Sequence, residues 1–220
     1  MKRELLNQLL AAQSQRRAIA MVTNTVTGEQ RLVLRAEAAA GSELDKAFRF
    51  DKSGMQGDEF VAIHNPPLRL VIIGAVLIAQ SVIPVAQTCG YDVTVIDPRG
   101  AFATGARFPG VALHADWPQD ILPKFGLDGR TGFMALTHDP KIDDPALELA
   151  LKSGVFYIGA LGSKKTQAAR HERLAKMGFD EVTRARISGP IGLNIGAIDA
   201  SEIAISIMAE MTKALRLGLT

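Results

Sequence analysis

Cysteine is almost absent from this 220-residue chain: Cys89 is the only one. A single cysteine forms no internal disulfide. Without a CxxC pair or a Cys/His cluster there is no spacing for a structural zinc either. The expectation is a reducing, cytoplasmic setting. Cys89 closes an apolar segment and reads as a small buried hydrophobe, not a nucleophile. Long hydrophobic runs are missing too. The apolar stretches Leu68–Val76 and Ile203–Met211 fall short of the roughly 20 residues that span a bilayer, so no membrane partner is expected. Asn7, Gln8, Gln13 and Ser14 interrupt any signal-peptide core, and the mature chain is expected to start near Met1. No charge dominates: 25 Lys and Arg face 23 Asp and Glu, a net +2. That balance argues against a nucleic-acid partner. G-x-S-x-G, the Walker A spacing and metal-ligand spacings are all absent, so no catalytic set and no metal site is assigned. What is present is ordinary globular material, 47% hydrophobic and 22% charged.

Asn65-Pro66-Pro67 marks the clearest boundary, because two prolines continue neither a helix nor a central strand. Residues 1–65 read as a small α+β domain. Leu5, Leu6, Leu9 and Leu10 recur at helical spacing between Lys2 and Gln13. Strands are expected at Arg17–Asn24, Gln30–Arg35 and Glu59–His64, with a helix starting at Ser42. Ser53-Gly54 and Gln56-Gly57 read as loops. Residues 68–220 alternate strand and helix. Strands fall at Leu68–Ile73, Tyr91–Ile96, Val111–His114, Gly132–Leu136 and Phe156–Ala160. Helices run from Ala75 to about Cys89, Pro145 to Lys152, Ser163 to Met177, and from a capping box at Asp199 and Glu202 to about Leu217. The predicted class is α/β, a Rossmann-like parallel sheet with helices on both faces.

Ligands of such a sheet bind at the carboxyl ends of its strands, which directs attention to the loops there. Gly74-Ala75-Val76-Leu77-Ile78-Ala79 keeps the first and third positions of a dinucleotide fingerprint, and Asp97 stands where a ribose-binding acid belongs. Val76 replaces the glycine that lets backbone approach a pyrophosphate. Two readings stay open: a modified nucleotide or phosphate pocket, or a packing turn with no ligand. Arg99 and Arg107 are either phosphate-gripping or solvated arginines. Thr137-His138-Asp139-Pro140-Lys141 offers His138 and Asp139 for orienting a polar ring, or for a local turn. Gly162-Ser163-Lys164-Lys165 places two lysines at a helix N-terminus, a poor choice for helix stability but a good one for an anion. Asn194, between Gly192 and Gly196, either reads a heterocycle edge or sits in a packed connector.

Taken in order, several segments resemble one family. They are Leu70-Val71-Ile72-Ile73-Gly74-Ala75, Val93-Thr94-Val95-Ile96-Asp97-Pro98-Arg99, Arg107-Phe108-Pro109, Leu136-Thr137-His138-Asp139-Pro140-Lys141, Tyr157-Ile158-Gly159-Ala160-Leu161-Gly162-Ser163-Lys164-Lys165-Thr166 and Pro190-Ile191-Gly192-Leu193-Asn194-Ile195-Gly196-Ala197. From about Pro67 to Ala214 the chain resembles the C-terminal Rossmann domain of the XdhC/CoxI family, maturation factors of molybdenum hydroxylases such as xanthine dehydrogenase and CO dehydrogenase. The resemblance implies a cofactor-binding chaperone more than an enzyme. Its cargo would be the molybdenum cofactor (molybdopterin). Its partners would be the apo-hydroxylase and a cysteine desulfurase, and it would form a homodimer. The implied cofactor-binding residues are Gly74, Ala75, Asp97, Arg99, His138, Asp139, Gly162, Ser163, Lys164, Lys165 and Asn194. NAD(P) binding by an oxidoreductase is the alternative that Gly74 and Asp97 keep open, and a docking module without cofactor is a third. The family's N-terminal cysteine motif is missing from residues 1–65. Leu77 and Gln167 stand where members often carry histidines that could touch a ligand.

Overall fold

A computed structural model describes residues 3–218; Met1 and Lys2, and with them the expected start of the mature chain and the first residue of the predicted N-terminal helix, lie outside the described residues. The chain divides into two compact units, Met1–Pro66 and Pro67–Thr220.

The first unit contains α1 (Arg3–Ser14), β1 (Ile19–Asn24), β2 (Gln30–Leu34), α2 (Glu43–Phe50), β3 (Gly54–Gln56) and β4 (Glu59–His64). Its antiparallel sheet has the order β2-β1-β4-β3. Strand periodicity sends alternate residues of β1 to opposite faces. Ala20 and Val22 pack with Phe48 of α2 and Val61 of β4. Ile19 and Met21 pack with Leu9 and Ala12 of α1. Residues 54–56, expected as loop, form a strand instead: Gly54 pairs with Val61 and Gln56 with Glu59. Gly57 closes this hairpin at φ +61°, and a three-residue strand is too short to show alternation.

The second unit contains β5 (Arg69–Ile73), α3 (Leu77–Thr88), β6 (Asp92–Ile96), β7 (Ala112–His114), α4 (Pro118–Phe125), β8 (Thr131–Ala135), α5 (Pro140–Leu151), β9 (Tyr157–Ala160), α6 (Lys164–Lys176), α7 (Glu181–Arg184), β10 (Ile187–Ser188) and α8 (Ala200–Leu217). The sheet order is β10-β9-β8-β5-β6-β7, and every pairing is parallel. Parallel strands need both faces covered, and β5 and β8 are buried at every position. Leu70, Ile72, Val93, Val95 and Met134 face a core completed by α3 and α8. Val71, Ile73, Ile96, Phe133 and Ile158 face a second core completed by α5 and α6. Each fully buried branched side chain contributes about 1.5–3 kcal/mol relative to exposure. The helix α3 buries Ala79, Val82, Ile83 and Ala86, an i, i+3, i+4, i+7 stripe.

Two expectations are corrected here. Cys89 is exposed, because it caps the C-terminus of α3 beyond the buried stripe. The helix predicted from Pro145 begins at Pro140, where Asp139 accepts from the Lys141 amide at 2.9 Å and Pro140 takes a first-turn position that needs no N–H donor. Helix α4 escapes a sequence reading because Pro118 and Pro123 punctuate it, and α7 and β10 are too short to show a period. Among the described residues no helix is long and apolar enough to cross a membrane.

Candidate functional site

The strand order reverses direction between β5 and β8, so their carboxyl ends flank the switch-point crevice of the sheet. Gly74 leaves β5 at φ +113°, and a Cβ there would lie 2.8 Å from Thr137 Cγ2 and 3.2 Å from the Thr137 amide nitrogen. Only glycine allows the loops after β5 and β8 to approach so closely. Val76 caps α3 without a side-chain hydrogen bond, and Leu77 follows with 66% of its surface exposed.

Asp97 lies under this turn and is fully buried. Its Oδ2 accepts from the Ala75 amide at 2.8 Å, and its Oδ1 accepts from the Arg99 amide at 2.9 Å. The Arg99 guanidinium donates to both oxygens, from Nε at 2.9 Å and from Nη2 at 2.8 Å. Burial pushes the Asp97 carboxyl up, but the Arg99 guanidinium and the two amides outweigh it and hold it below the usual carboxylate value. The carboxylate that sequence placed at a ribose is thus committed to its own chain. It braces the glycine turn and fixes Arg99. Arg99 in turn stacks on Phe102, its guanidinium carbon 4.8 Å from the ring centroid, and Arg107 stands 5.9 Å from the same ring. The two arginines therefore share one exposed aromatic shelf.

After β8, Thr137 is buried, His138 exposed and Asp139 intermediate. His138 takes a left-handed conformation at φ +62°, unusual for a residue with a side chain. After β9, Gly162 turns at φ +137°, and Ser163 caps α6 by accepting from the Thr166 amide at 3.2 Å. The Ser163 hydroxyl thus works for the helix. Lys164 and Lys165 are exposed in a first turn that carries no acidic residue. Farther along the edge, α8 clamps the loop after β10. Glu210 Oε2 accepts from the Gly192 amide at 2.9 Å and from the Tyr157 hydroxyl at 2.6 Å. Burial, and then the Glu210 charge, raise the Tyr157 hydroxyl well above its ordinary pKa. Ser206 donates to the Leu193 carbonyl at 2.5 Å. This loop, α8 and the first residue of α6 line a cavity of about 440 Å³, with Asn194, Ile191, Ile203, Ser206 and Lys164 among its walls.

The structure therefore joins Ala75, Asp97 and Arg99 in one hydrogen-bonded set and packs the adjacent Gly74 against the His138–Asp139 loop through Thr137. It gathers Lys164 and Asn194 at one cavity. Gln167 is 5% exposed and donates to the Ala160 carbonyl at 2.8 Å. Of the two positions where members often carry histidine, 167 thus turns inward, while Leu77 at the other is exposed. Sequence reasoning missed Asp143, Arg170 and Glu210. The available signal was a charged residue on an otherwise apolar helix face, as at Asp143 beside Ile142, Ala146 and Leu147. Among the described residues no cluster of His, Cys, Asp or Glu could hold a metal ion.

A wholly parallel sheet, with glycine turns packed at its switch point, defines a Rossmann-type domain. The family model of the XdhC Rossmann domain matches residues 70–211. The chain belongs to the XdhC family. It is 29% identical over 160 residues to the Escherichia coli molybdenum cofactor insertion chaperone PaoD, covering 73% of this chain and 44% of that protein. It is also 29% identical over 153 residues to a Bacillus subtilis protein named as a probable xanthine dehydrogenase component, covering 69% of this chain and 44% of that one. The chain thus spans less than half the length of these relatives. A crystal structure described as a xanthine dehydrogenase from Bacillus halodurans superimposes with a TM-score of 0.69 at 25% identity, over 99% of this chain and 66% of the other.

Proposed function

We propose that this chain binds the molybdenum cofactor as cargo and helps to insert it into an apo molybdenum hydroxylase such as xanthine dehydrogenase or CO dehydrogenase. The observation that carries the reading is the pair Lys164 and Lys165 at the N-terminus of α6, beside the Asn194 cavity. Cations there oppose the helix dipole, so their position is poor for stability and suits an anionic ligand. Molybdopterin combines a phosphate with a hydrogen-bonding pterin. In this reading the lysines and the free amides of α6 face the phosphate, while Asn194, His138 and the backbone at Gly74 face the ring. PaoD, a molybdenum cofactor insertion chaperone by name, supports the cargo. The same reading includes support of cofactor sulfuration by a cysteine desulfurase and assembly as a homodimer. No bond-making step is assigned to the chain. NAD(P) binding is disfavoured by Val76 in the second glycine position and by the full commitment of Asp97 to Ala75 and Arg99.

The test is to mix the pure protein anaerobically with molybdenum cofactor released from a donor enzyme and to measure co-eluting pterin by the fluorescence of its oxidised form. Stoichiometric pterin is expected. A folded protein that elutes without pterin overturns the reading.

A further inference from the structure

Below the loops that follow β8 and β9 lies a buried charged pair. Asp143 comes from the first turn of α5 and Arg170 from the middle of α6. Their side chains are 1% and 2% exposed and stand 3.6 Å apart. Each reaches a different loop. Asp143 Oδ1 accepts from the Thr137 hydroxyl at 2.7 Å and the Thr137 amide at 3.3 Å, while Oδ2 accepts from the His138 amide at 3.2 Å. Arg170 Nη2 donates to the Leu161 carbonyl at 3.1 Å. Its Nη1 donates to Gln167, whose amide donates to the Ala160 carbonyl at 2.8 Å.

We propose that Asp143 and Arg170 are positioning residues for the cargo crevice: their ion pair couples the Thr137–Asp139 loop to the Leu161–Ser163 loop and fixes both relative to the Gly74 turn. The inference rests on the reading that these loops receive the cofactor. Stability alone is a weak reason for such a pair, because a buried ion pair is often no better than well-packed apolar residues. Directionality is what the charges add. Asp143 accepts from the amide of His138, which stands in a left-handed conformation that residues with a side chain rarely adopt. Thr137, held by the same carboxylate, is the residue against which Gly74 packs. Burial raises the Asp143 pKa, with the Thr137 hydroxyl and the Arg170 charge opposing it; burial likewise lowers Arg170, with Asp143 opposing.

The experiment compares wild type, Arg170→Gln and the charge-neutral double variant Asp143→Asn/Arg170→Gln. It measures amide hydrogen exchange, melting temperature and pterin retention. Loss of Arg170 is expected to speed exchange at 137–139, a loop it does not itself hydrogen-bond, by about ten-fold. The double variant leaves no unpaired charge and is expected to fold, yet to bind molybdopterin about ten-fold more weakly. A purely structural pair predicts the opposite, with binding restored along with stability. Unchanged exchange at 137–139 in Arg170→Gln, or wild-type binding by a folded double variant, overturns the proposal. Should the double variant not fold, Thr137→Val keeps volume and ion pair and cuts one link to the first loop; wild-type exchange at 137–139 there also overturns it. If wild type itself takes no pterin, the cargo reading fails, and the exchange data alone decide whether the pair couples the loops.

Discussion

Replacing Asp97 by asparagine separates two accounts of this site. The amide keeps the shape of the carboxylate, but one oxygen becomes an NH2 group that faces donors. In one orientation the Ala75 amide and Arg99 Nη2 lose their acceptor; in the other the Arg99 amide and Nε do. Hydrogen bonds to charged groups contribute about 1.5–3 kcal/mol each. The Arg99 side chain is 35% exposed, so water replaces part of its loss. The Ala75 amide belongs to a fully buried residue and has no such recourse. The expected loss is about 3 kcal/mol, toward the low end for breaking a buried charged pair. For a domain of this size that corresponds to a fall in Tm of about 6–12 °C. Scanning calorimetry of wild type and Asp97→Asn at neutral pH measures it. A shift below about 2 °C would refute the bracing role. Nicotinamide bound by wild type and lost by a variant of unchanged Tm would instead make Asp97 a ribose ligand.

The same carboxylate sets an acid limit. Its folded pKa is depressed, so its contribution is fully present above the unfolded value of about 3.9 and is lost as pH falls through the folded value. Wild-type Tm should therefore drop on acidification below about pH 4, and Asp97→Asn should show a shallower drop in the same scan. Gly74→Ala places a Cβ 2.8 Å from Thr137 at a positive φ, and urea unfolding should show a loss of about 2–4 kcal/mol. Reversing Lys164 and Lys165 to glutamate should abolish most pterin retention without lowering Tm, and with a small rise, since acids suit a helix N-terminus. Leu77→His restores the residue that family members often carry at an exposed position of the crevice and should raise pterin affinity without changing Tm.

The parallel sheet was legible because β5 and β6 are short runs rich in branched residues and strand-like segments alternate with helical ones from there on. The strand β10 has two residues and α7 has four, too few to show any period. The loops were legible as well, since a glycine–lysine turn after a strand is a local pattern. What each residue does in them was less so. Asp97 looks the same in sequence whether it faces a ribose or its own Arg99, and only the closing distances distinguish the two. Gln167 follows a ligand-type loop, and in sequence nothing marks it as inward-facing. Helical phase turns it under Ala160. Asp143 and Arg170 lie 27 positions apart in sequence, and nothing local announces that α5 and α6 bring them together.

The central claim is that cargo sits at the carboxyl ends of β5, β8 and β9. Amide hydrogen exchange with and without molybdopterin tests it most directly. Protection on binding should appear at residues 74–77, 137–139 and 161–165, and in the Asn194 loop at 190–197, with the antiparallel sheet of the first unit unchanged. Pterin that binds while those three loops exchange as in the free protein would contradict the account.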